Sequence, residues 1–348
     1  MPGARIKPSN VRQATHLQNF VLAHQAERYM DDMLTFISTV NESNKYWMHE
    51  PFGRRREAGL KRADGSKAVR VDLRITEDTF DVEEYAMETL FGPRVLAEQD
   101  GALGLLRYAG TAHDKTITLE RSYQAYTIYT TDANYATGHS TALTDELDDY
   151  VNGDPKGAAQ TALDRLYTSV GGKPVGCRIK ACMPVGVVNA LTEHPDVKES
   201  VKHVGGVSER GRTATWEELA RYLEVDDIVV PREVLDTSVS YPDAMDEAQN
   251  ASRMWADTVD KLVFAFVADS PPSGTAPDMA NGTAVGAFRK GSTENMVEQY
   301  DPGPEYASQG RAAQVVRVSN FFALKKVGVD DPTSAKMVYA HIVTNCLT

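Results

Sequence analysis

A long polar stretch with segregated charge limits the folds open to this chain more than any other feature. Residues 51–75 contain eight basic side chains and three acidic ones. Residues 72–100 reverse this balance, with nine acids against two arginines. A stretch this polar buries too little apolar surface to offset the entropy lost on ordering it. We therefore expect it to gain order from contacts, either with its own acidic stem or with the stem of an identical copy.

The same stretch has the pattern of a long hairpin-like excursion over residues 45–85. Residues 69–75 alternate apolar and polar side chains, which is typical of a strand, and residues 63–66 are a turn signal. The basic loop has three possible interpretations: it binds nucleic acid through the phosphates, it is a solvated loop without a partner, or it contacts an acidic neighbouring subunit. We favour the third interpretation, which predicts inter-subunit contacts for Arg54, Arg55, Arg56, Lys61, Arg62 and Arg70.

Composition places the chain among globular proteins. It has 348 residues, of which 42% are hydrophobic and 25% charged, and its formal net charge is −12. The excess of acidic residues argues against a protein whose main function is nucleic-acid binding. With only three cysteines, the chain is not held together by a set of disulfide bonds. No apolar run approaches the ~20 residues of a membrane span, and no apolar segment follows the N-terminal charges. These features predict a soluble protein that is intracellular when made.

Periodicity and capping signals predict a mixture of helices and strands. Residues 103–130 fit one long helix, and Asp154 with Pro155 begins another that Gly171 ends. Residues 215–218 form a capping box at the start of a further helix. We expect strands at 177–183, 227–231, 262–268, 315–326 (bulged at Ser319 and Asn320) and 336–343, helix in pieces over 11–36, and a loop over 290–310.

No spacing of reactive side chains indicates catalysis or a metal site. Gly286 and Gly291 have phosphate-loop spacing, but no lysine follows the second glycine. The eight histidines do not cluster with other ligands. Cys177 and Cys182 lie five positions apart, which sends them to opposite faces of a strand. The acids within 145–149 lack the glycine of a calcium loop. We therefore predict a protein that is not an enzyme and that uses no cofactor or metal.

Residues 179–230 carry the most specific motifs of the chain. They contain Ala-Leu-Thr-Glu-His-Pro-Asp-Val at 190–197, Glu-Leu-Ala-Arg-Tyr-Leu at 218–223 and Val-Asp-Asp-Ile-Val-Val at 225–230. In this order, these motifs resemble the major capsid proteins of tailed phages, the Hong Kong 97-type fold family. The stem at 80–95 and the helical segment at 118–129 also look like that family.

The resemblance implies an α+β fold, the Hong Kong 97-type capsid fold, with four parts. Residues 1–40 would be an N-arm, and residues 41–100 an extended E-loop that lies over an adjacent subunit. Residues 101–170 and 311–334 would form the peripheral domain with its long spine helix. Residues 171–310 and 335–348 would form the mixed α/β axial domain, which meets its copies at the capsomer centre.

The resemblance also implies a structural role as the major capsid protein of a tailed double-stranded DNA phage. Copies would assemble as hexamers and pentamers into an icosahedral head, first in the host cytoplasm and then as part of the virion. The implied partners are packaged DNA, met at the inner face without sequence specificity, and scaffold, portal and decoration proteins; no membrane is implied. The alternative is an encapsulin-like shell protein of a cellular nanocompartment. A covalent link through Lys61 or Lys67 is not expected.

Overall fold

The chain forms a mixed α/β fold built on two main sheets. The computed structural model describes residues 11–13, 29–49, 75–98, 102–174, 176–202, 214–236, 251–255, 260–268, 283–290, 295–302, 313–329 and 335–347. None of the helices in these ranges is long and apolar enough to cross a membrane.

The described strands are, in chain order, β1 (Val11–Gln13), β2 (Thr35–Thr39), β3 (Ser43–His49), β4 (Ile75–Asp81), β5 (Glu83–Phe91), β6 (Ser140–Ala142), β7 (Cys177–Cys182), β8 (Asp227–Val229), β9 (Val234–Asp236), β10 (Ala251–Arg253), β11 (Leu262–Ala268), β12 (Val285–Lys290), β13 (Met296–Tyr300), β14 (Gln314–Lys326) and β15 (Ala340–Thr344). The described helices are α1 (Pro93–Glu98), α2 (Ala102–Thr130), α3 (Pro155–Val170), α4 (Val185–Glu193), α5 (Pro195–Lys202) and α6 (Trp216–Tyr222). Short 3-10 turns lie at Tyr29–Met33 and Asp132–Asn134.

The six-stranded sheet is organised around β14, its longest strand. The path of paired strands is β1-β13-β14-β12-β2, and β5 also pairs with β14. The pairing of β2 with β12 is parallel, and the other pairings in this sheet are antiparallel. Helix α2 covers one face of the sheet, where Leu106 and Ile117 pack with Val316, Val318 and Phe322.

The five-stranded sheet has the order β6-β15-β11-β7-β8. Every residue of β11 is buried, as expected for a central strand that is covered on both faces. Helix α3 begins at Asp154, whose side chain accepts a hydrogen bond from the Gly157 N–H, and ends at Gly171 with φ of 80°. Glycine adopts this left-handed conformation without the clash that a Cβ would cause.

Strands β3 and β4 form a two-stranded hairpin within the polar excursion predicted for residues 45–85. Strands β3 and β4 pair antiparallel, with Ser43 opposite Asp81 at one end and His49 opposite Ile75 at the other. The excursion predicted for residues 45–85 is therefore a hairpin in its described part, and β5 continues directly from β4. The strand predicted at residues 69–75 lies, except for Ile75, outside the described residues.

Elements with strong local signals match their predictions. Helix α2 spans the predicted long helix, α3 has the predicted cap at each end, and the capping box at Thr215 is present. Strand β11 has the predicted bounds. Local sequence decides these elements because cap hydrogen bonds and apolar periodicity act within a few residues.

Several other predictions are wrong, and most of the failures involve pairing with a distant strand. Within the stretch 11–36 that was expected to be helical in pieces, residues 11–13 form β1 and residues 35–36 begin β2, because β13 and β12 pair with them. The loop expected over 290–310 contains β13, which pairs with β14. β14 runs without a bulge through Ser319 and Asn320, since both have partners on β5 in continuous register. The last strand begins at Ala340 rather than at residue 336.

Candidate assembly surfaces

The segment before β2 is fixed to helix α2 by a buried ion pair. Both side chains lie in the interior, with Arg121 fully buried. Arg121 donates from Nε to Asp31 Oδ1 at 2.8 Å and from Nη2 to Asp31 Oδ2 at 2.5 Å. The guanidinium also lies 5.7 Å from the Phe36 ring centroid and 5.8 Å from that of Phe322. Because the two hydrogen bonds are parallel, the ion pair fixes the orientation of the segment relative to α2 as well as holding it there.

Further hydrogen bonds hold the same segment along its length. The Met30 N–H donates to Glu233 Oε1 at 3.1 Å, and Lys180 Nζ donates to the Asp32 carbonyl at 2.7 Å. Burial raises the pKa of the Glu233 carboxyl, and the hydrogen bond from Met30 opposes that rise. The Tyr129 hydroxyl donates to the Met33 carbonyl at 2.8 Å. Residues 30–33 are thus anchored to the body of the subunit by specific contacts.

Aromatic side chains near one end of the β3–β4 hairpin attach it to the body of the subunit. Phe80 stacks on Phe288 of β12, with ring centroids 4.5 Å apart, and Tyr46 lies 5.1 Å from the same ring. Both hairpin side chains are fully buried. The Tyr46 hydroxyl donates to Asp78 Oδ2 at 2.8 Å, and burial together with Asp78 raises the pKa of Tyr46. An isolated hairpin is marginally stable, so this aromatic contact helps to hold the β3–β4 pair on the subunit.

The six predicted contact residues are Arg54, Arg55, Arg56, Lys61, Arg62 and Arg70, and all lie outside the described residues. The structure places the two ends of their segment side by side, because His49 is opposite Ile75. The segment leaves the hairpin at the end away from the Phe80 anchor. The hairpin has seven residue pairs at a rise of ~3.3 Å each, so its far end lies about 20 Å from the end near Phe80. Their role as inter-subunit contacts stays a prediction.

The sheet face opposite helix α2 carries exposed acidic and apolar side chains. Directly paired residues point to the same face of a sheet, so β5 residues Glu84, Ala86, Glu88 and Leu90 share a face with their β14 partners. We call this surface the outer face; its exposed or half-buried members are Glu84, Ala86, Glu88, Leu90, Met296, Glu298, Arg317 and Phe321. The sequence placed Glu84 and Glu88 in an acidic stem, but only the register shows that Glu298 joins them.

Hydrogen bonds order the carboxylates of the outer face. Arg317 makes an ion pair with Glu84, and the Tyr300 hydroxyl donates to Glu88 Oε2 at 2.7 Å. Burial and the bond to Glu88 raise the pKa of Tyr300 to about 12, and Glu298 adds to the rise. Glu84, Glu88 and Glu298 thus share the outer face with Arg317, and the Lys290 ammonium lies 5.8 Å from the ring of Phe321 on the same face.

Two buried histidines join β15 to the turn before β6. The rings of His139 and His341 lie 5.9 Å apart. His139 contacts Ser169 Oγ through Nε2 at 2.6 Å and the Ala340 carbonyl through Nδ1 at 3.0 Å. His341 Nε2 lies 3.1 Å from Thr141 Oγ1. Burial, together with the nearby His139 and Arg165, lowers the pKa of His341 to about 4.

This pair predicts a loss of stability in acid. Because the pKa of His341 is lower in the folded chain than the ordinary 6.5, the unfolded chain binds the extra proton first as the pH falls. The stabilising effect is complete above pH 6.5 and declines toward pH 4. Between pH 7 and pH 4.5, His341 should account for about 2–3 kcal/mol of lost unfolding free energy. Urea titrations of the unassembled subunit measure this.

The matched variant for that experiment is His341→Gln, which keeps a polar group near Thr141 and does not titrate. We expect its unfolding free energy to fall less than that of the native chain over the same pH interval. Equal losses in the two proteins would show that His341 does not carry this pH dependence.

The three cysteines lie in the interior of the chain. Cys177, Cys182 and Cys346 are free and buried, and burial raises the pKa of Cys182 and, to about 12, that of Cys346. Low-pKa thiolates are the reactive form of cysteine, so these two are held as inert thiols. In the part of the chain that the structure describes, no group of three or more His, Cys, Asp or Glu side chains is placed to hold a metal ion.

Comparison with known proteins finds likeness in structure rather than in sequence. No protein-family model and no curated protein matches the chain. A phage-related protein from Bordetella bronchiseptica RB50 matches with a TM-score of 0.67 and 15% identity, over 97% of this chain and 98% of that one. A structure from Mycobacterium phage Adephagia matches with a TM-score of 0.53 and 10% identity, over 93% and 92%. One from Mycobacterium phage Cain gives 0.51 and 12%, over 92% and 90%.

These likenesses confirm at the level of the fold what the motifs at residues 179–230 predicted. The chain shares its mixed α/β fold with a phage-related protein and with structures from two mycobacteriophages. The match with the Bordetella protein runs over nearly the whole of both chains. The shared fold thus includes the hairpin and both sheets rather than a single common motif.

Proposed function

We propose that this chain is the major capsid protein of a tailed double-stranded DNA phage. Copies assemble as hexamers and pentamers into an icosahedral head that encloses the genome. The observation that carries the proposal is the likeness to a phage-related protein over 97% of the chain. The protein acts as a building block, without catalysis or a cofactor.

The parts of the subunit have distinct places in this proposal. Residues 1–40 are the N-arm, and residues 41–100 are the E-loop, which reaches a neighbouring subunit from the β3–β4 hairpin. Residues 101–170 and 311–334 form the peripheral domain around helix α2 and strand β14. Residues 171–310 and 335–348 form the axial domain, which meets its copies at the capsomer centre.

The proposed partners follow from the enclosed genome and from assembly. Packaged DNA lies at the inner face without sequence-specific contacts, and the net charge of −12 limits its adhesion to the protein. A separate scaffold protein, a portal and decoration proteins are further partners. Assembly takes place in the host cytoplasm, and the finished protein is part of the virion without contact to a membrane.

Size measurement and imaging test the proposal together. The full-length protein is expressed alone, separated by size-exclusion chromatography with light scattering, and viewed by negative-stain electron microscopy. Closed shells or capsomer rings are expected. A compact monomer at every concentration contradicts the proposal. Shells that enclose a protein cargo and no nucleic acid when isolated from the native organism would favour the nanocompartment alternative, which shares the fold.

Charge reversal in the basic segment is expected to impair shell formation. The change is Arg54→Glu, Arg55→Glu and Arg56→Glu in one chain. Each exposed ion pair contributes only about 0–1 kcal/mol, but symmetry repeats the loss at every subunit contact. The yield of shells is measured by sedimentation velocity. The control reverses Lys115, Lys156 and Lys336, which are exposed, and normal shells from the Arg54–56 variant would remove these contacts from the account.

A further inference from the structure

Ser169 and His139 form a close hydrogen-bonded pair near the C-terminal end of helix α3. His139 Nε2 lies 2.6 Å from Ser169 Oγ. His139 is almost fully buried, with 3% of the residue exposed, whereas Ser169 is half-buried. An imidazole nitrogen within hydrogen-bond reach of a serine hydroxyl, about 2.6–3.2 Å, can act as a general base toward it. The pair therefore has the geometry of an activated nucleophile.

The other nitrogen of the imidazole fixes the direction of this hydrogen bond. His139 Nδ1 lies 3.0 Å from the carbonyl oxygen of Ala340 in β15. A carbonyl oxygen only accepts hydrogen bonds, so Nδ1 carries the proton of the neutral ring and Nε2 carries the lone pair. The Ser169 hydroxyl therefore donates to Nε2. This is the tautomer that a general base requires, and the backbone of β15 holds it.

The chain around the pair leaves space for a small molecule. Gly138 precedes His139, and Gly172 follows Ser169 by three residues. Among the described residues, no atom beyond the adjoining positions lies within 4 Å of the point where a Cβ would stand at either glycine. Thr168, next to Ser169 on α3, is exposed. The half-buried hydroxyl is thus within reach of a small reagent from solvent.

A cationic side chain lies on the same face of α3. Arg165 precedes Ser169 by four residues, and positions four apart are neighbours on a helix surface. Arg165 is exposed and lies near His341, whose pKa is lowered by burial, by His139 and by Arg165. Attack of a hydroxyl on a carbonyl group places negative charge on the carbonyl oxygen, and a nearby guanidinium stabilises that charge.

We propose that Ser169 takes an acyl group from an activated carboxylic ester, with His139 as the general base and Arg165 stabilising the charge on the carbonyl oxygen. Ser169 Oγ forms a bond to the acyl carbon, and the bond from that carbon to the leaving oxygen breaks. The Ser169 proton passes to His139 Nε2 and then to the leaving group, which departs as an alcohol or phenol. The product is a subunit acylated at one serine. This is a covalent modification rather than turnover, so it goes beyond the structural role and leaves that role unchanged.

Labelling of the unassembled full-length subunit with p-nitrophenyl acetate tests the proposal. We expect fast release of about one p-nitrophenolate per chain, with the acetyl group on Ser169 when the peptides are analysed by mass spectrometry. Ser200 is the internal control. It is also half-buried on a helix, but its hydroxyl donates to the Val197 carbonyl at 2.8 Å rather than to an imidazole. Acetylation of Ser169 that is no faster than that of Ser200 would overturn the proposal.

Three substitutions identify the groups responsible. Ser169→Ala should abolish both the fast release and the label. His139→Gln removes the base and should slow acetylation of Ser169 by about 100-fold or more. Arg165→Gln should slow it by roughly tenfold, because this guanidinium is exposed and water replaces part of its effect. An unchanged rate in a folded His139→Gln or Arg165→Gln chain contradicts the proposed arrangement.

A fourth variant keeps the test decisive where near-ultraviolet circular dichroism shows that His139→Gln does not fold. Ser169→Cys places a thiol beside the imidazole, which favours the reactive thiolate. Its alkylation by iodoacetamide at mildly acidic pH should be roughly tenfold faster than that of Ser200→Cys. The three native cysteines are buried and should react slowly in both chains. Equal alkylation rates at positions 169 and 200 would show that the imidazole does not activate its neighbour, and would overturn the proposal.

Discussion

Replacement of Arg121 by methionine is expected to lower the free energy of unfolding by about 3–5 kcal/mol. The substitution leaves the Asp31 carboxylate buried beside helix α2 without the guanidinium that donates two hydrogen bonds to it. An unpaired buried charge lowers the free energy of unfolding by far more than the intact ion pair adds to it. Urea unfolding of the unassembled subunit measures the loss.

Two further variants show whether the loss comes from the charge or from packing. Arg121→Lys keeps a positive charge but cannot make the bidentate contact, so we expect an intermediate loss. The double variant Asp31→Leu with Arg121→Met removes both charges, and most of the stability should return. If the double variant is as unstable as Arg121→Met alone, the ion pair is not what fixes residues 30–33 to α2.

Replacement of Phe288 by alanine should cost about 3–5 kcal/mol and release the β3–β4 hairpin. Phe288 is fully buried and is the ring on which Phe80 stacks and against which Tyr46 packs. Without it Phe80 and Tyr46 lose the ring that they contact, and a hairpin with a weakened attachment is marginally stable. We expect faster proteolytic cleavage within β3 and β4, in addition to the global loss.

The matched control for Phe288 is Phe266→Ala in β11. Phe266 is also fully buried but lies in the five-stranded sheet, away from the hairpin. It should lower global stability by a similar amount without selective cleavage in β3 and β4. Equal cleavage patterns in the two variants would contradict the anchoring role assigned to Phe288, whereas Phe288→Leu should retain most of the stability.

Sequence reasoning succeeded where the decisive interactions are local. Asp154 caps α3 through the amide three residues later, and Thr215 and Glu218 close their capping box within one turn. Such signals are complete within a short window of sequence. The family motifs at residues 190–230 also lie in one contiguous stretch, which is why the fold was predictable.

Sequence reasoning failed where a residue or strand far away in the sequence determines the local structure. Strand β2 exists because Phe36 and its neighbours pair with β12, about 250 positions along the chain, and its apolar residues alone resemble a helix fragment. Arg121 has the appearance of an ordinary polar residue on a long helix, since its partner Asp31 lies 90 positions away. The same holds for Glu298, which joins Glu84 and Glu88 only through the register of β13 and β5 on β14.

The central claim is that this subunit is completed by contact with identical copies. A cryo-electron microscopy reconstruction of the purified assemblies tests it most directly. We predict a closed icosahedral shell in which the segment between β3 and β4 of one copy contacts a neighbouring copy. Particles that remain single subunits under assembly conditions, or a shell whose basic segments lie on their own copy, would contradict it.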